Sequence, residues 1–351
     1  MTRHTNRQEA FYREHREPVL SAPQLRIHPW DKASEPSHPA QKPCADSAKY
    51  ALRTLLVPLD GTQHAEHALP HALAIARRSR AKVRLVHVYP HMQHVEPWQM
   101  CAVDEWNHRA KLEAYNYLVE VAARVARTDS ITVETRLIDS VDTVGALAKE
   151  SAQADLVVMA SRRRGFLRRL FSPSVSNGLR RRIRTPGLFV KGYSHPVDLT
   201  GDPIARHILV PLNGTLLAER VLDVAAKVSR LQGAKLSLIN VQNHDWSLGS
   251  FEHSIPSTYL SGIADEVKRA GPRVDAHVVT TERSAATAVT AFAQQRNVDL
   301  IALSTRCNGD WAHVLQGNFA DELLRKTNLP LLVLGIDGQR QRAEITTVVE
   351  S

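Results

Sequence analysis

The chain has 351 residues, 43% hydrophobic and 23% charged, an ordinary globular mixture that excludes wholesale disorder and suits two domains. Its formal net charge is +9, from 45 lysines and arginines against 36 acids. Nine of those arginines lie between residues 162 and 184 with no Asp or Glu among them, so the rest of the chain is neutral and a general nucleic-acid-coating surface is excluded.

Residues 1–50 hold six of the 18 prolines among scattered His, Arg and Ser, with neither a helical nor a strand period. They read as a disordered or loosely attached arm. Met1 to Glu17 is polar where a secretory signal needs an apolar stretch, and no apolar run approaches the roughly 18 to 20 residues of a membrane span. Cys44, Cys101 and Cys307 are too few and too scattered for a disulfide framework or a zinc ligand set. These features together predict a cytoplasmic protein with reduced thiols and no transmembrane segment.

From residue 51 the chain alternates strand and helix. Thr54 to Leu59 is continuously apolar, as in a strand buried on both faces of a parallel sheet. Ala65, Ala68, Leu69, Ala72 and Ala76 form a helical stripe, Val83 to Val88 a second strand, and Trp106 to Arg127 a long helix expected to turn Leu112, Tyr115, Leu118 and Val119 inward. Ile131 to Ile138 alternates apolar and polar residues, which suits a sheet edge. Val144 to Ser151 reads as a helix, Asp155 to Ala160 as a buried strand, Ser174 to Arg184 as a helix and Leu188 to Lys191 as a closing strand.

The pattern then repeats. Leu55-Leu-Val-Pro-Leu-Asp-Gly-Thr62 matches Ile208-Leu-Val-Pro-Leu-Asn-Gly-Thr215 at an offset of 153, which also pairs Glu66 with Glu219 and Lys82 with Lys235. Further on the offset becomes 144, pairing Asp155 with Asp299 and Pro186 with Pro330. A tandem duplication with a length difference inside the unit explains both numbers. The expected organisation is an arm (1–50), domain 1 (51–192), a linker (193–206), domain 2 (207–336) and a tail (337–351). The expected fold class is α/β: two tandem doubly wound parallel five-stranded sheets, with ligands at the carboxyl ends of the strands.

This arrangement resembles the universal stress protein family in its tandem form. Three stretches carry the resemblance: Val57-Pro-Leu-Asp-Gly-Thr62, the strand Ala154-Asp-Leu-Val-Val-Met-Ala-Ser161, and the closing Ser174 to Lys191. It implies a Rossmann-like fold of the nucleotide-binding α-hydrolase type and a pseudo-dimer of two domains within one chain. It also implies an adenine nucleotide held by Gly-x2-Gly-x9-Gly-Ser/Thr after the fourth strand, with an Asp at the end of strand one on the adenosine side. The physics of that cradle is close backbone approach at the glycines and a helix N-terminus facing the phosphates. Copy one reads Ala160-x2-Arg163-x9-Pro173-Ser174, and copy two reads Ser304-x2-Cys307-x9-Gly317-Asn318. The Asp is Asp60 in copy one and Asn213 in copy two. Copy one keeps none of the three glycines and copy two keeps one, so the cradle is degraded in both, most harshly at Pro173, which has no N–H to donate.

Two readings of copy one stay open. In the first, Asp60 and Ser174 persist and Arg162, Arg163, Arg164 and Arg168 hold phosphates by charge and bidentate hydrogen bonds, so domain 1 takes ATP or another adenine nucleotide. In the second, the run Arg162, Arg163, Arg164, Arg168, Arg169, Arg180, Arg181, Arg182 and Arg184 is a solvated loop and helix face, or docks an acidic protein or nucleic acid. Pairing of two chains into a homodimer is compatible with either.

His64, His67 and His71 fall at i, i+3, i+7 on the first helix, with His87, His91 and His94 on or after the next strand. The apolar stripe of that helix is expected to leave them facing solvent. They lack a fixed ligand spacing, so no metal site is expected. Ser172, Ser174 and Ser176 have neither a neighbouring His nor a nucleophile elbow, and no Walker or Gly-x-Gly-x-x-Gly motif occurs. The resemblance implies a stress-response protein, and these residues predict that it binds and does not catalyse.

Overall fold

The computed structural model describes residues 26–28, 52–92, 100–161, 185–243, 257–307 and 318–337. The helix and basic run expected over 162–184 and the tail after 337 lie outside the described residues.

After β1 (Arg26–His28), domain 1 runs β2 (Thr54–Leu59), α1 (Gln63–Glu66), α2 (Ala68–Ser79), β3 (Lys82–Tyr89), α3 (Met100–Thr128), β4 (Val133–Asp139), α4 (Thr143–Ser151), β5 (Leu156–Ser161) and β6 (Gly187–Lys191). Domain 2 repeats the order as β7 (His207–Pro211), α5 (Leu216–Glu219), α6 (Leu222–Gln232), β8 (Lys235–Asn243), α7 (Ser257–Arg269), β9 (Arg273–Thr281), α8 (Ala285–Gln295), β10 (Leu300–Cys307), α9 (Asn318–Lys326) and β11 (Leu331–Asp337).

Within each domain the five strands are parallel and ordered third, second, first, fourth, fifth. All six residues of β2 are buried, as the continuous apolar run requires of a central strand. The two sheets join where β6 pairs antiparallel with β11, Phe189 opposite Leu331 and Gly187 opposite Val333. The result is one sheet of eleven strands, β1-β9-β8-β7-β10-β11-β6-β5-β2-β3-β4. The sequence reading contains no strand in the arm, yet β1 adds antiparallel to β9 at the far end.

Each face of this sheet carries one apolar layer that crosses the domain boundary. Leu69 and Leu73 of α2, Leu118 and Val125 of α3, Ala225 of α6 and Leu260 of α7 share one cluster. Ala148 of α4, Phe292 of α8 and Leu323 of α9 share the other. The two halves are therefore packed as one body on both sides.

The long helix corrects one expectation. Leu118 is buried, but Leu112, Tyr115 and Val119 are 50%, 56% and 46% exposed. The inward face is Ala114, Leu118, Val121 and Val125, set 4, 3 and 4 residues apart.

Candidate functional site

The first strand of each domain ends in a turn that fixes an acceptor side chain. Gly61 (φ 80°) and Gly214 (φ 77°) take the left-handed conformation that side chains resist, which is why glycine recurs there in both copies. Asp60 Oδ1 accepts from the Thr62 amide at 3.0 Å and the Thr62 hydroxyl at 2.5 Å. Asn213 Oδ1 accepts from Thr215 in the same way, at 3.3 and 2.7 Å. Thr62 and Thr215 then cap α1 and α5. The turn needs only an oxygen, so Asp and Asn serve it equally; the charge of Asp60 is left for something else.

Behind this turn, α1 is locked by a buried carboxylate. Glu66 is 6% exposed and accepts from Tyr117 Oη at 3.2 Å and Arg124 Nη2 at 2.5 Å. Burial and the adjacent carboxylate push the Tyr117 phenol far up. Domain 2 repeats the joint with Tyr259 donating to Glu219 at 2.6 Å. The matched Glu66 and Glu219 were the available signal for this joint. The tyrosines were hidden because the repeat offset changes before them.

Asp60 stands at the carboxyl ends of β2 and β5, between the strands from which successive connections leave in opposite directions. A crevice opens there, lined by Leu59, Asp60, Val88, Leu147, Met159 and Ala160 among others, with a volume of about 40 Å³. Ligand pockets for small molecules run to roughly 300–1,000 Å³, so this one must widen to admit more than a few atoms. Its wall is apolar apart from Asp60 and Thr143. Nearby, the His87 Nδ1 atom is buried with no hydrogen-bond partner; burial lowers the ring's basicity, and the charge of Asp60 opposes that. The residue at the matching position of domain 2 is Asn240, 3% exposed, whose Nδ2 donates to the Leu212 carbonyl at 2.9 Å while its Oδ1 is unpartnered.

The structure thus brings Asp60 and Ala160 of the predicted site into one crevice. Asn213 and Ser304 occupy the corresponding strand ends of domain 2, and the Ser304 hydroxyl is buried without a hydrogen-bond partner. Asn318 opens α9. Arg163, Ser174, Gly317 and the arginines from Arg162 to Arg184 lie outside the described residues.

The histidines expected to face solvent are instead half-buried beneath the interdomain linker. His64 Nε2 is 3.1 Å from Ser194 Oγ, and His67 Nε2 donates to the His195 carbonyl at 3.0 Å. The rings of His67, Tyr193 and His195 pack together at centroid distances of 4.8 to 5.4 Å. A side chain at Gly192 would put its Cβ 2.7 Å from the His64 carbonyl oxygen, so only glycine fits there. Further along α2, Arg77 and Arg78 hold Asp202 at 2.8 and 2.6 Å. Burial, with the neighbouring His67 acting in the same direction, lowers His71 to about 4. Among the described residues no group of His, Cys, Asp or Glu is placed to hold a metal ion. No helix among them is long and apolar enough to cross a membrane.

Two copies of a parallel sheet with this strand order, helices on both faces and a crevice at the switch point define a tandem doubly wound α/β protein. The chain belongs to the universal stress protein family, whose model matches residues 51–191 and 205–335. A universal stress protein from Archaeoglobus fulgidus is 18% identical, over 82% of this chain and 97% of that one, with a TM-score of 0.59. A functionally unknown protein from Pseudomonas aeruginosa is 16% identical over 86% of this chain and 99% of its own, with a TM-score of 0.45. A further Archaeoglobus fulgidus universal stress protein, solved in complex with dAMP, is 20% identical over 37% of this chain and 98% of its own, with a TM-score of 0.31. No curated protein matches the chain.

Proposed function

We propose that the protein is a non-catalytic binding module of the cytoplasmic stress response that takes an adenine nucleotide at the domain 1 crevice. The observation that carries this reading is the pairing, in one crevice, of a fixed carboxylate at Asp60 with an apolar wall of Val88, Leu147 and Met159. A carboxylate accepts hydrogen bonds from ribose hydroxyls, and a flat base is held by apolar contact. Phosphates would fall to the arginines that follow Ala160 in the chain, Arg162 to Arg164, in place of the missing glycines. Domain 2 lacks the carboxylate, which makes domain 1 the binding half.

Thermal-shift titration with ATP, ADP and AMP tests this. A ligand at a hundred times its Kd stabilises the fold by about 2.7 kcal/mol, a readily measured rise in melting temperature. Asp60→Asn should abolish that rise while leaving the unliganded melting temperature unchanged, because Asn213 makes the same turn in domain 2. No shift at saturating nucleotide overturns the reading.

The nine arginines between 162 and 184, unrelieved by any acid, favour a second reading: a scaffold that holds an acidic protein or nucleic acid without a small ligand. Retention of RNA or DNA at physiological salt, lost when Arg162, Arg163 and Arg164 become Ser, would support it over the first.

A further inference from the structure

The eleven-stranded sheet is finished differently at its two ends. At the domain 2 end, β1 covers the outer edge of β9, with Arg26 opposite Thr280, Ile27 opposite Val279 and His28 opposite Val278. At the domain 1 end β4 is the last strand, and among the described residues nothing pairs with its outer edge. A seven-residue strand with an open row of N–H and C=O groups is a template for another strand, and proteins ordinarily shorten, twist or cover such an edge.

Register makes the two edges equivalent. Val133 pairs with Val83 as Val274 pairs with Leu236, and Val83 and Leu236 are counterparts in the duplication. Leu137, Ile138 and Asp139 therefore hold the places that Val278, Val279 and Thr280 hold on β9. Along this stretch lies an open groove of about 420 Å³ between β4 and α4, with Leu137, Ile138, Asp139, Asp142, Ala146 and Glu150 in its lining. On the other face of the sheet, α3 turns Tyr117 and Arg124 toward Glu66. At 100° per residue, the opposite flank of α3 carries Leu112, Tyr115 and Val119, all exposed, toward the open edge. Those three residues were expected in the core, and a strand added to β4 would lie beside them.

We infer that the outer edge of β4 takes the Arg26–His28 segment of a second copy of the chain by antiparallel strand addition. The same segment already pairs with the equivalent edge of its own domain 2, so its fit to this backbone geometry is on view in the molecule. Carried over to β4, that register sets Arg26 opposite Asp139, Ile27 opposite Ile138 and His28 opposite Leu137. The charge match is specific to domain 1, because β9 offers Thr280 where β4 offers the Asp139 carboxylate, 47% exposed and 3.2 Å from His91 Nδ1, with which Arg26 would share it. Opposite charges directly across a strand pair attract. Pro23 and Pro29 bracket the segment, so the ladder is short and the exchange reversible.

The test is anisotropy of a fluorescein-labelled peptide of residues 22–31 titrated into the full-length protein. Saturable binding is expected, weakened roughly fivefold to tenfold by Asp139→Arg and recovered when the peptide carries Arg26→Glu. Asp139→Asn, which is nearly isosteric, should weaken it in the same direction by less. Strand pairing turns alternate N–H groups to the partner. Of two peptides, one N-methylated at Ile27 and one at Arg26 and His28, only one should therefore bind. Sedimentation of the full-length protein should show a dimer that Asp139→Arg dissolves and Arg26→Glu with Asp139→Arg restores. Absence of peptide binding, equal loss with both methylated peptides, or a chain monomeric throughout would overturn the inference. So would binding indifferent to Asp139→Arg, which would place the peptide on β9.

Discussion

Domains 1 and 2 share their joints and part company at the ends of their strands. In both, a carboxylate following the fourth helix clamps the start of the first strand: Asp155 accepts from the amides of Arg53 and Thr54 at 2.7 and 2.9 Å, and Asp299 from Arg206 and His207 at 2.8 and 2.9 Å. Both keep the threonine cap and the Tyr–Glu lock. At the carboxyl end, Asp60 and His87 in domain 1 face Asn213 and Asn240 in domain 2. At the amino end, Lys82 and Arg84 hold Glu134 in domain 1. In domain 2, Asp275 is held instead by Lys235, His277 and Ser237, and these hydrogen bonds keep it well below the usual carboxylate range although burial opposes them. What the fold needs is duplicated; what a ligand would touch is not.

The shared clamp gives the largest expected effect. Asp155→Ala and Asp299→Ala each strand two backbone donors of a central strand, and each should cost about 3 kcal/mol in urea unfolding. If the two costs differ widely, the equivalence of the halves fails where it should be strongest.

Next is acidification. Neutral His71 is favoured in the folded state, whereas the unfolded chain takes up its proton near pH 6.5, so its contribution is complete above that pH and declines below it. The loss should reach roughly 2 kcal/mol by pH 5. Domain 2 has Val224 at the matching position, and His71→Val should flatten the fall in stability between pH 7 and 5, read by denaturant melts at both values. An unaltered slope would assign the acid sensitivity to other groups.

The smallest effect sharpens the comparison at a helix end. α2 terminates on Arg80 in the left-handed conformation (φ 56°), and α6 terminates on Gly233 (φ 66°) at the equivalent place. Arg80→Gly should stabilise the protein by about 1 kcal/mol or less, visible as a small rise in melting temperature, since only glycine takes that conformation without strain.

The strand and helix order, the duplication and the edge character of β4 were legible because each is written in local periodicity or in direct repetition. Asp60 was singled out only through the family resemblance, as a ligand contact; its part as the acceptor of the Thr62 turn was not legible. The face of α3 was not. Leu112, Tyr115 and Val119 stand at helical spacing, and periodicity reveals a stripe without saying which neighbour it meets; Ala114, Leu118, Val121 and Val125, at the same helical spacing, fill the actual contact. The histidines of α1 and α2 were misjudged because their cover comes from Tyr193 to His195, more than a hundred residues downstream, and only the folded chain brings it there. The closeness of the crevice was equally invisible, since volume depends on the side chains of five separate elements.

The antiparallel contact between β6 and β11 has a consequence for how such a molecule changes over time. Because both strands belong to one polypeptide, their encounter is set by a fixed tether and not by how much protein is present, so dilution cannot separate the halves. Each half meets only its own opposite number, never a copy of itself, across that seam. Freed from having to match itself, one half is at liberty to give up a recognition role while the other keeps it, and both still fold as one.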